Sequence, residues 1–270
     1  MLNSLEQRIE ILKEKGYNLP LNSILEDSFT HWKKIIFYGI FTILFGYLFN
    51  SVAGLYIGNM LGTNSLDIEF QNALMELSKS PEGIQKIIPL SQEYINNPLV
   101  LKKILLSSLT EILLYPLGAG LVYCAYKNDT VGVATFKDLI SGFQGSKFLN
   151  LIGLTLIVTI LTLLSTFLLL VPLLYFIPAF ILAGAFIIID DVPLVKAIKY
   201  SMQIVNMKFM QVLSIVIVSF FISKILGLFM CGIGLILTLP FSFAVVYSLY
   251  KNIIGTIKEL PENESHPDVY

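Results

Sequence analysis

Residues 148–189 read FLNLIGLTLIVTILTLLSTFLLLVPLLYFIPAFILAGAFIII, an apolar run of 42 residues without a charged side chain. About 20 residues of α-helix are enough to cross the ~30 Å hydrocarbon core of a bilayer. As one helix this run would be about 63 Å long, which is twice that thickness. We therefore predict a transmembrane hairpin with its break at Val171-Pro172.

The composition of the whole chain is typical of a membrane protein. Of the 270 residues, 55% are hydrophobic and 14% are charged, and the mean hydropathy is +0.76. Soluble proteins carry about a quarter charged residues. The hairpin and the other apolar runs predict an all-α polytopic fold with about six transmembrane helices. The other runs lie at 35–57, within 98–126, at 209–230 and, after a turn at 231–234, up to 250.

Polar segments divide the chain into regions. We predict cytoplasmic helices in 1–34 and a six-helix transmembrane domain over 35–256, with an extracytoplasmic helical loop at 58–98. The polar segment 257–270 is expected to be a disordered cytoplasmic tail. Each predicted hairpin follows an amphipathic helix that lies at the membrane interface. These three helices begin at Asn22, at the capping box 135–138 and at Pro193.

The basic residues predict the orientation of the chain. Thirteen of the 18 Lys and Arg residues fall on the side of the N-terminus, four fall on the other side, and Lys224 falls within a span. Because Lys and Arg collect in cytoplasmic segments, we expect both termini in the cytoplasm. The polar start of the chain predicts no cleavable signal peptide, so the first span would act as an uncleaved anchor. Cys124 and Cys231 fall near opposite faces, and we expect no disulfide between them.

Three equally spaced prolines predict an internal repeat. Pro116, Pro178 and Pro240 are 62 residues apart, and each lies in the second helix of a predicted hairpin. Residues 122–128 (VYCAYKN) match residues 246–252 (VYSLYKN) at five of seven positions. We predict three tandem hairpins with a helix kink at each proline, where neighbouring helices must satisfy the open backbone. The alternative is that these residues mark unrelated kinks and interfaces.

Short motifs near both ends of the chain carry a resemblance to a known family. They are Ile11-Leu12-Lys13 to Gly16-Tyr17, Ile24-Leu25 to Trp32-Lys33-Lys34, Ala197 and Ser201, and Gly232-Ile233-Gly234-Leu235 to Pro240 and Tyr250. Over most of 8–255 the chain resembles small bacterial six-span membrane proteins, many of which are labelled beta-carotene monooxygenase. It also resembles the membrane domain found beside some glycerophosphodiester phosphodiesterases. The resemblance implies a six-span fold in the bacterial cytoplasmic (inner) membrane, with no agreed activity and no catalytic residues.

The residues themselves argue against an enzyme. The monooxygenase label would require a histidine-rich iron site, whereas the chain has two histidines, His31 and His266, near opposite ends. No nucleophile elbow, phosphate-binding loop or Cys-x-x-Cys pair occurs. We interpret His31 as an interfacial polar residue and Asp190-Asp191 as a solvated helix end, with a metal or acid site as the less favoured alternative. We therefore expect no catalytic residue, no metal and no cofactor.

Glu111 and Lys224 are ionisable residues inside predicted spans. A charge at such a position costs about 2.5–3.5 kcal/mol on insertion scales, so a partner is expected. Each lies 15 residues from the inner end of its span, at ~22 Å from the inner interface. Opposite charges at matched depth predict an intramembrane ion pair. The alternative is that each side chain extends to the outer interface.

Three classes of function are compatible with these features. The favoured one is a non-enzymatic integral membrane protein that acts through the lipid bilayer or other membrane proteins, for example in envelope maintenance or assembly. The alternative is a small-solute transporter or channel lined by Glu111, Lys224 and the kinked prolines. A water-accessible cavity that reaches Glu111 from the outer face would favour this alternative. A membrane enzyme is least favoured, and without a basic patch we expect no nucleic acid partner.

Overall fold

The computed structural model describes residues 5–168, 171–229 and 233–255, and all regular secondary structure in these ranges is helical. The predicted all-α fold is confirmed. The predicted turn at Cys231 and the predicted tail lie outside the described residues. The helices are α1 (Leu5–Lys15), α2 (Leu21–Leu61), α3 (Asn64–Leu77), α4 (Pro81–Asn96), α5 (Pro98–Thr130), α6 (Phe136–Leu139), α7 (Gly145–Phe167), α8 (Leu173–Phe180), α9 (Ala183–Asp190), α10 (Leu194–Met207), α11 (Phe209–Phe220), α12 (Leu226–Phe229) and α13 (Ile233–Ile254), with a 3₁₀ turn at Ser141–Phe143 and a π-helical turn at Phe221–Ile225.

Six helical segments of the described chain are long and apolar enough to cross a membrane. Large apolar side chains such as Phe37, Leu48, Leu149 and Met210 are exposed along them. Extended apolar surfaces of this kind are rare on soluble monomers, and lipid is the environment that suits them. The chain is a multi-pass membrane protein. The six segments are Leu21–Leu61, Pro98–Thr130, Gly145–Ser165, Leu173–Asp190, Phe209–Phe229 and Gly234–Ile254.

The chain forms two compact units. Unit 1 combines Met1–Ile43 with Tyr115–Tyr270, and unit 2 is Leu44–Leu114. The core of unit 1 is built around large side chains that are almost completely buried, among them Phe186, Phe241 and Tyr250. Unit 2 contains α3 and α4, which occupy the segment predicted as an outer helical loop.

The first predicted interfacial helix is not a separate element. α2 runs without a break from Leu21 to Leu61, through Trp32 and the two lysines after it. No proline lies between those ends, and the Lys, Ile and Phe residues at the predicted boundary include no strong helix breaker. The other two interfacial segments are distinct from their spans. Thr135 donates its N–H to the carboxylate of Asp138 (2.8 Å) at the start of α6, as the predicted capping box requires.

Unit 2 contains a helical hairpin that lies outside the six apolar segments. α4 starts after Ser80, whose hydroxyl accepts a hydrogen bond from the N–H of Gly83 (3.0 Å). The rings of Phe70 on α3 and Tyr94 on α4 stack with their centroids 4.0 Å apart. The segment predicted as a helical loop thus contains two helices, α3 and α4.

The N-terminal helix α1 packs on α10 and α13 in unit 1. The carboxylate of Glu6 accepts hydrogen bonds from the Tyr200 hydroxyl (2.5 Å) and the Lys196 ammonium (3.1 Å). Arg8 donates to the carbonyl of Gly255 (3.3 Å). Helix α1 is therefore held to α10 and to the end of α13 by hydrogen bonds and one exposed ion pair.

Acid should loosen the α1 contact. The Tyr200 hydroxyl, followed by Lys196, holds the pKa of Glu6 below its ordinary value. A carboxyl whose pKa is lowered on folding stabilises the contact above its ordinary pKa, and this stabilisation is lost as the pH falls through the lowered pKa. Hydrogen exchange of the α1 amides, corrected for intrinsic rates, should rise in wild type as the pH falls below about 4.3.

Two variants test the role of Glu6 in this pH response. Glu6→Gln should flatten the response because it removes the titrating group, while Glu14→Gln, an exposed residue of the same helix, should keep it. A response that persists in Glu6→Gln would contradict the assignment.

Candidate functional site

The fourth span is interrupted three residues after Pro178. α8 ends at Phe180, α9 begins at Ala183, and the two residues between them form a turn. Proline lacks an N–H and its ring crowds the preceding turn, so the carbonyl four residues before it loses its helical partner. After Pro178, the N–H of Ile181 bonds to the Pro178 carbonyl (3.2 Å), so the N–H of Leu182 needs a partner outside its own helix. Span four is thus divided into two half-helices within unit 1.

Ser201 of α10 satisfies the backbone that this interruption opens. Its hydroxyl accepts a hydrogen bond from the N–H of Leu182 (3.2 Å) and donates one to the carbonyl of Ala179 (2.7 Å). All three residues are fully buried. One side chain thus acts as both acceptor and donor for the backbone of the turn after Pro178.

In the third hairpin, the N-terminal half of α2 contacts the backbone near the proline in a comparable way. The indole N–H of Trp32 donates to the carbonyl of Leu237 (2.9 Å), one turn before Pro240. Gly39 lies directly against the Pro240 ring, where any larger residue would collide with it. Helix α13 nevertheless continues through Pro240 without interruption.

In the first hairpin, the backbone near the proline is contacted by the segment that follows the hairpin. The backbone of Gly142 lies against the carbonyl of Pro116, and Gly120 lies against the carbonyl of Leu139. α5 also continues through its proline. A residue of an interfacial segment from another predicted repeat thus bonds or packs near each proline: Gly142 near Pro116, Ser201 near Pro178 and Trp32 near Pro240. The kinks at Pro116 and Pro240 stay a prediction.

Removing the Ser201 hydroxyl should destabilise unit 1. Ser201→Ala leaves the Leu182 N–H and the Ala179 carbonyl unpaired in a buried site, and we expect a loss of about 1–2 kcal/mol in the free energy of unfolding. Equilibrium unfolding in mixed micelles measures it. Ser214→Ala is the control, because that exposed serine bonds only within its own helix. Equal stability of the two variants would contradict the role given to Ser201.

Tyrosines of α13 tie the inner end of unit 1 together. We use "inner end" for the end at which Thr130, Gly145 and Ile254 lie, after the predicted orientation. Tyr247 donates to Asp129 at the end of α5 (2.9 Å), and Tyr250 donates to Asp190 at the end of α9 (3.0 Å).

Lys251 adds an ion pair with Asp129 (3.0 Å) at this end of the bundle. The second helices of all three hairpins are thus joined through Asp190 and through four residues that were not predicted as a site: Asp129, Tyr247, Tyr250 and Lys251. The repeated Tyr-x-x-Tyr-Lys pattern was the signal that could have found them.

An apolar pocket of about 300 Å³ lies in unit 1 beside the interrupted span. Its walls come from α5, α7, α8 and α13, with the turn after α8 at one side. Thr155 is one of its few polar residues, and its hydroxyl donates a hydrogen bond to the carbonyl of Leu151 in its own helix (2.9 Å). The walls are therefore almost entirely hydrocarbon, and they include Tyr115, Leu154, Val158, Leu161, Ile177 and Phe180.

A second pocket, of about 310 Å³, follows the outer half of α5 in unit 2. Its lining runs from Tyr94 and Lys103 past Ser107 and Ser108 to Glu111. Tyr94 donates to Asp67 (2.5 Å), which also forms an ion pair with Lys103.

Tyr94 remains a hydrogen-bond donor at physiological pH. Burial, and then the bond to Asp67, raise the pKa of Tyr94 to about 12, so its hydroxyl stays protonated. This end of the second pocket is consequently held by a hydrogen-bonded ion pair.

The structure places Glu111 and Lys224 in different units. Glu111 is an exposed residue of unit 2 at one end of the second pocket, and Lys224 is an exposed residue of unit 1. Lys224 lies in the π-helical turn of span five, a local distortion that is frequent at functional sites. The predicted ion pair between them stays a prediction.

The other candidate residues have structural partners. Asp190 accepts the Tyr250 bond, and Asp191 ends α9 in a left-handed conformation and accepts a hydrogen bond from Ser146 (3.0 Å). His31 is buried, and its ring packs edge to face against the ring of Tyr247 with the two centroids 4.7 Å apart. Within the described ranges no group of three or more His, Cys, Asp or Glu residues could hold a metal ion.

Comparisons with known proteins give no relative for this chain. No protein-family model matches it, and neither a curated protein nor a solved structure does. The resemblance to small bacterial six-span proteins stays a prediction that rests on short motifs.

Proposed function

We propose that this chain is a non-enzymatic integral membrane protein that acts by holding an acyl chain of a lipid. The observation that carries the proposal is the apolar pocket of unit 1. The bias of Lys and Arg toward one side supports cytoplasmic termini. The family resemblance supports the bacterial cytoplasmic membrane as the location.

The walls of the pocket select an apolar occupant. Val158, Ile177 and Phe180 offer no hydrogen bonds, and cavities with such walls stay dry and bind apolar molecules. The volume, about 300 Å³, is at the lower end for ligand pockets. A narrow and flexible hydrocarbon chain suits both the size and the chemistry.

The depth of the pocket agrees with an acyl chain rather than a headgroup. Leu154 and Leu161 lie 9 and 16 residues after Gly145 at the inner end of α7, which places them about 14–24 Å along the helix. This interval lies well inside a hydrocarbon core of ~30 Å. Lipid bound at this depth would let the protein act in envelope maintenance or assembly, alone or with another membrane protein.

Filling the pocket should displace the lipid. Val158→Trp places a large ring in the space, and we expect a several-fold loss of crosslinking between α7 and a phospholipid that carries a photoreactive group in one acyl chain. Peptide mapping after illumination measures it. Leu163→Trp is the control, because Leu163 is 56% exposed on the same helix and does not line the pocket. Equal crosslinking of both variants would refute the proposal.

A small-solute transporter is the second candidate, and the pocket along α5 is the observation that favours it. The pocket extends to Glu111 from the part of unit 2 that carries Tyr94 and Lys103. A cavity at this residue is the feature that distinguishes a solute pathway from a solid bundle. The apolar pocket of unit 1 provides no such polar surface.

Cysteine labelling tests whether water reaches the α5 pocket. In a chain with Cys124 and Cys231 replaced by Ala, Ser107→Cys should react in intact membranes with a membrane-impermeant maleimide, because a thiol must ionise in water to react. Leu109→Cys, on the exposed apolar side of α5, should stay unlabelled. Absence of labelling at Ser107→Cys would remove the support for a transporter.

A further inference from the structure

Three side chains of unit 2 form a polar stripe on α5. Lys103, Ser107 and Glu111 are spaced by four residues, so they lie above one another on one face of the helix, about 6 Å apart along its axis. All three line the same pocket. The stripe therefore leads from a cationic residue near one end of α5 to an anionic residue inside the predicted span.

The charge of Lys103 is neutralised by an ion pair within unit 2. Its ammonium pairs with Asp67, and the Tyr94 hydroxyl donates to the same carboxylate. Lys103 is also eight residues from Glu111, about 12 Å along the helix, and the ion pair that it forms is with Asp67 rather than with Glu111. Within unit 2, Glu111 is thus a carboxylate that no cation neutralises.

Of the hydroxyl groups near Glu111 in sequence, two donate hydrogen bonds within unit 2 and one does not. Thr110 donates to Asn50 (2.6 Å), and Ser108 donates to the carbonyl of Leu105 (2.7 Å). The Ser107 hydroxyl, one turn from Glu111, forms no hydrogen bond within unit 2. A carboxylate and a free hydroxyl oxygen therefore face the pocket side by side.

We infer that this pocket binds the ammonium group of a small organic cation, with Glu111 and Ser107 as its acceptors and Val100 and Ile104 against its carbon chain. The inference names the ligand of the site on which the transporter candidate depends, and it is independent of the acyl-chain proposal. A bare divalent cation suits the site poorly, because Ca²⁺ takes six to eight oxygen ligands. An ionisable residue at membrane depth is itself a signature of function.

Calorimetric titration of the full chain in nanodiscs tests the inference, with n-butylammonium as the probe. We expect saturable binding of n-butylammonium and none of 1-butanol, which has the same shape without the charge. Glu111→Gln should weaken binding at least tenfold, whereas Glu111→Asp, which keeps the charge, should retain most of it. Glu93→Gln, an exposed acid on α4 outside this pocket, should bind like wild type.

Other outcomes would overturn the inference. Wild-type protein that does not bind n-butylammonium refutes it, as does Glu111→Gln with unchanged affinity. Binding that appears only in Lys224→Met would assign Glu111 to the Lys224 ammonium of the chain itself. Ser107→Cys labelling without n-butylammonium binding would refute the ammonium inference and keep the water-filled pocket, so the two failures are distinguishable.

Discussion

Backbone hydrogen bonding within the hydrocarbon core is the constraint on which the rest of unit 1 depends. Water cannot satisfy a free N–H or carbonyl there, and each unsatisfied group costs several kcal/mol. Proline creates such groups, and this chain has one in the second helix of each hairpin. The Ser201 hydroxyl bonds to the backbone of the turn after Pro178, and the Trp32 indole bonds to the Leu237 carbonyl one turn before Pro240. Segments far apart in sequence are thereby fixed against one another.

At the inner end of unit 1 the helices are joined through charged and polar side chains. Tyr247 and Tyr250 are nearly inaccessible, and both give their hydroxyl protons to carboxylates at helix ends. A hydrogen bond to a charged acceptor contributes more than one between neutral groups. The spans are therefore joined by charge-assisted bonds at one end and by apolar packing along their length.

The two pockets have opposite chemistry, and this contrast separates the two functional proposals. The pocket in unit 1 is lined by hydrocarbon, and for this reason we propose an apolar occupant. The pocket in unit 2 is lined by Glu111 and by the Ser107 hydroxyl, and for this reason we propose an occupant with a positive charge. One protein that holds a lipid chain in one unit and a small cation in the other would combine both.

The sequence by itself determined the class of fold and the placement of the spans. Hydropathy over about 20 residues is a local property, and a segment of that length and hydropathy is stable in the hydrocarbon core of a bilayer. The sequence also determined the capping box at Thr135 and the equal spacing of the prolines. It could not show that α2 continues from Leu21 to Leu61, that Ser201 pairs with the Pro178 turn, or that a pocket reaches Glu111. Those features depend on which helices pack together and how closely. Only the tertiary structure decides them, because side chains that meet across helices are set by the packing of the whole bundle rather than by the residues beside them in the chain.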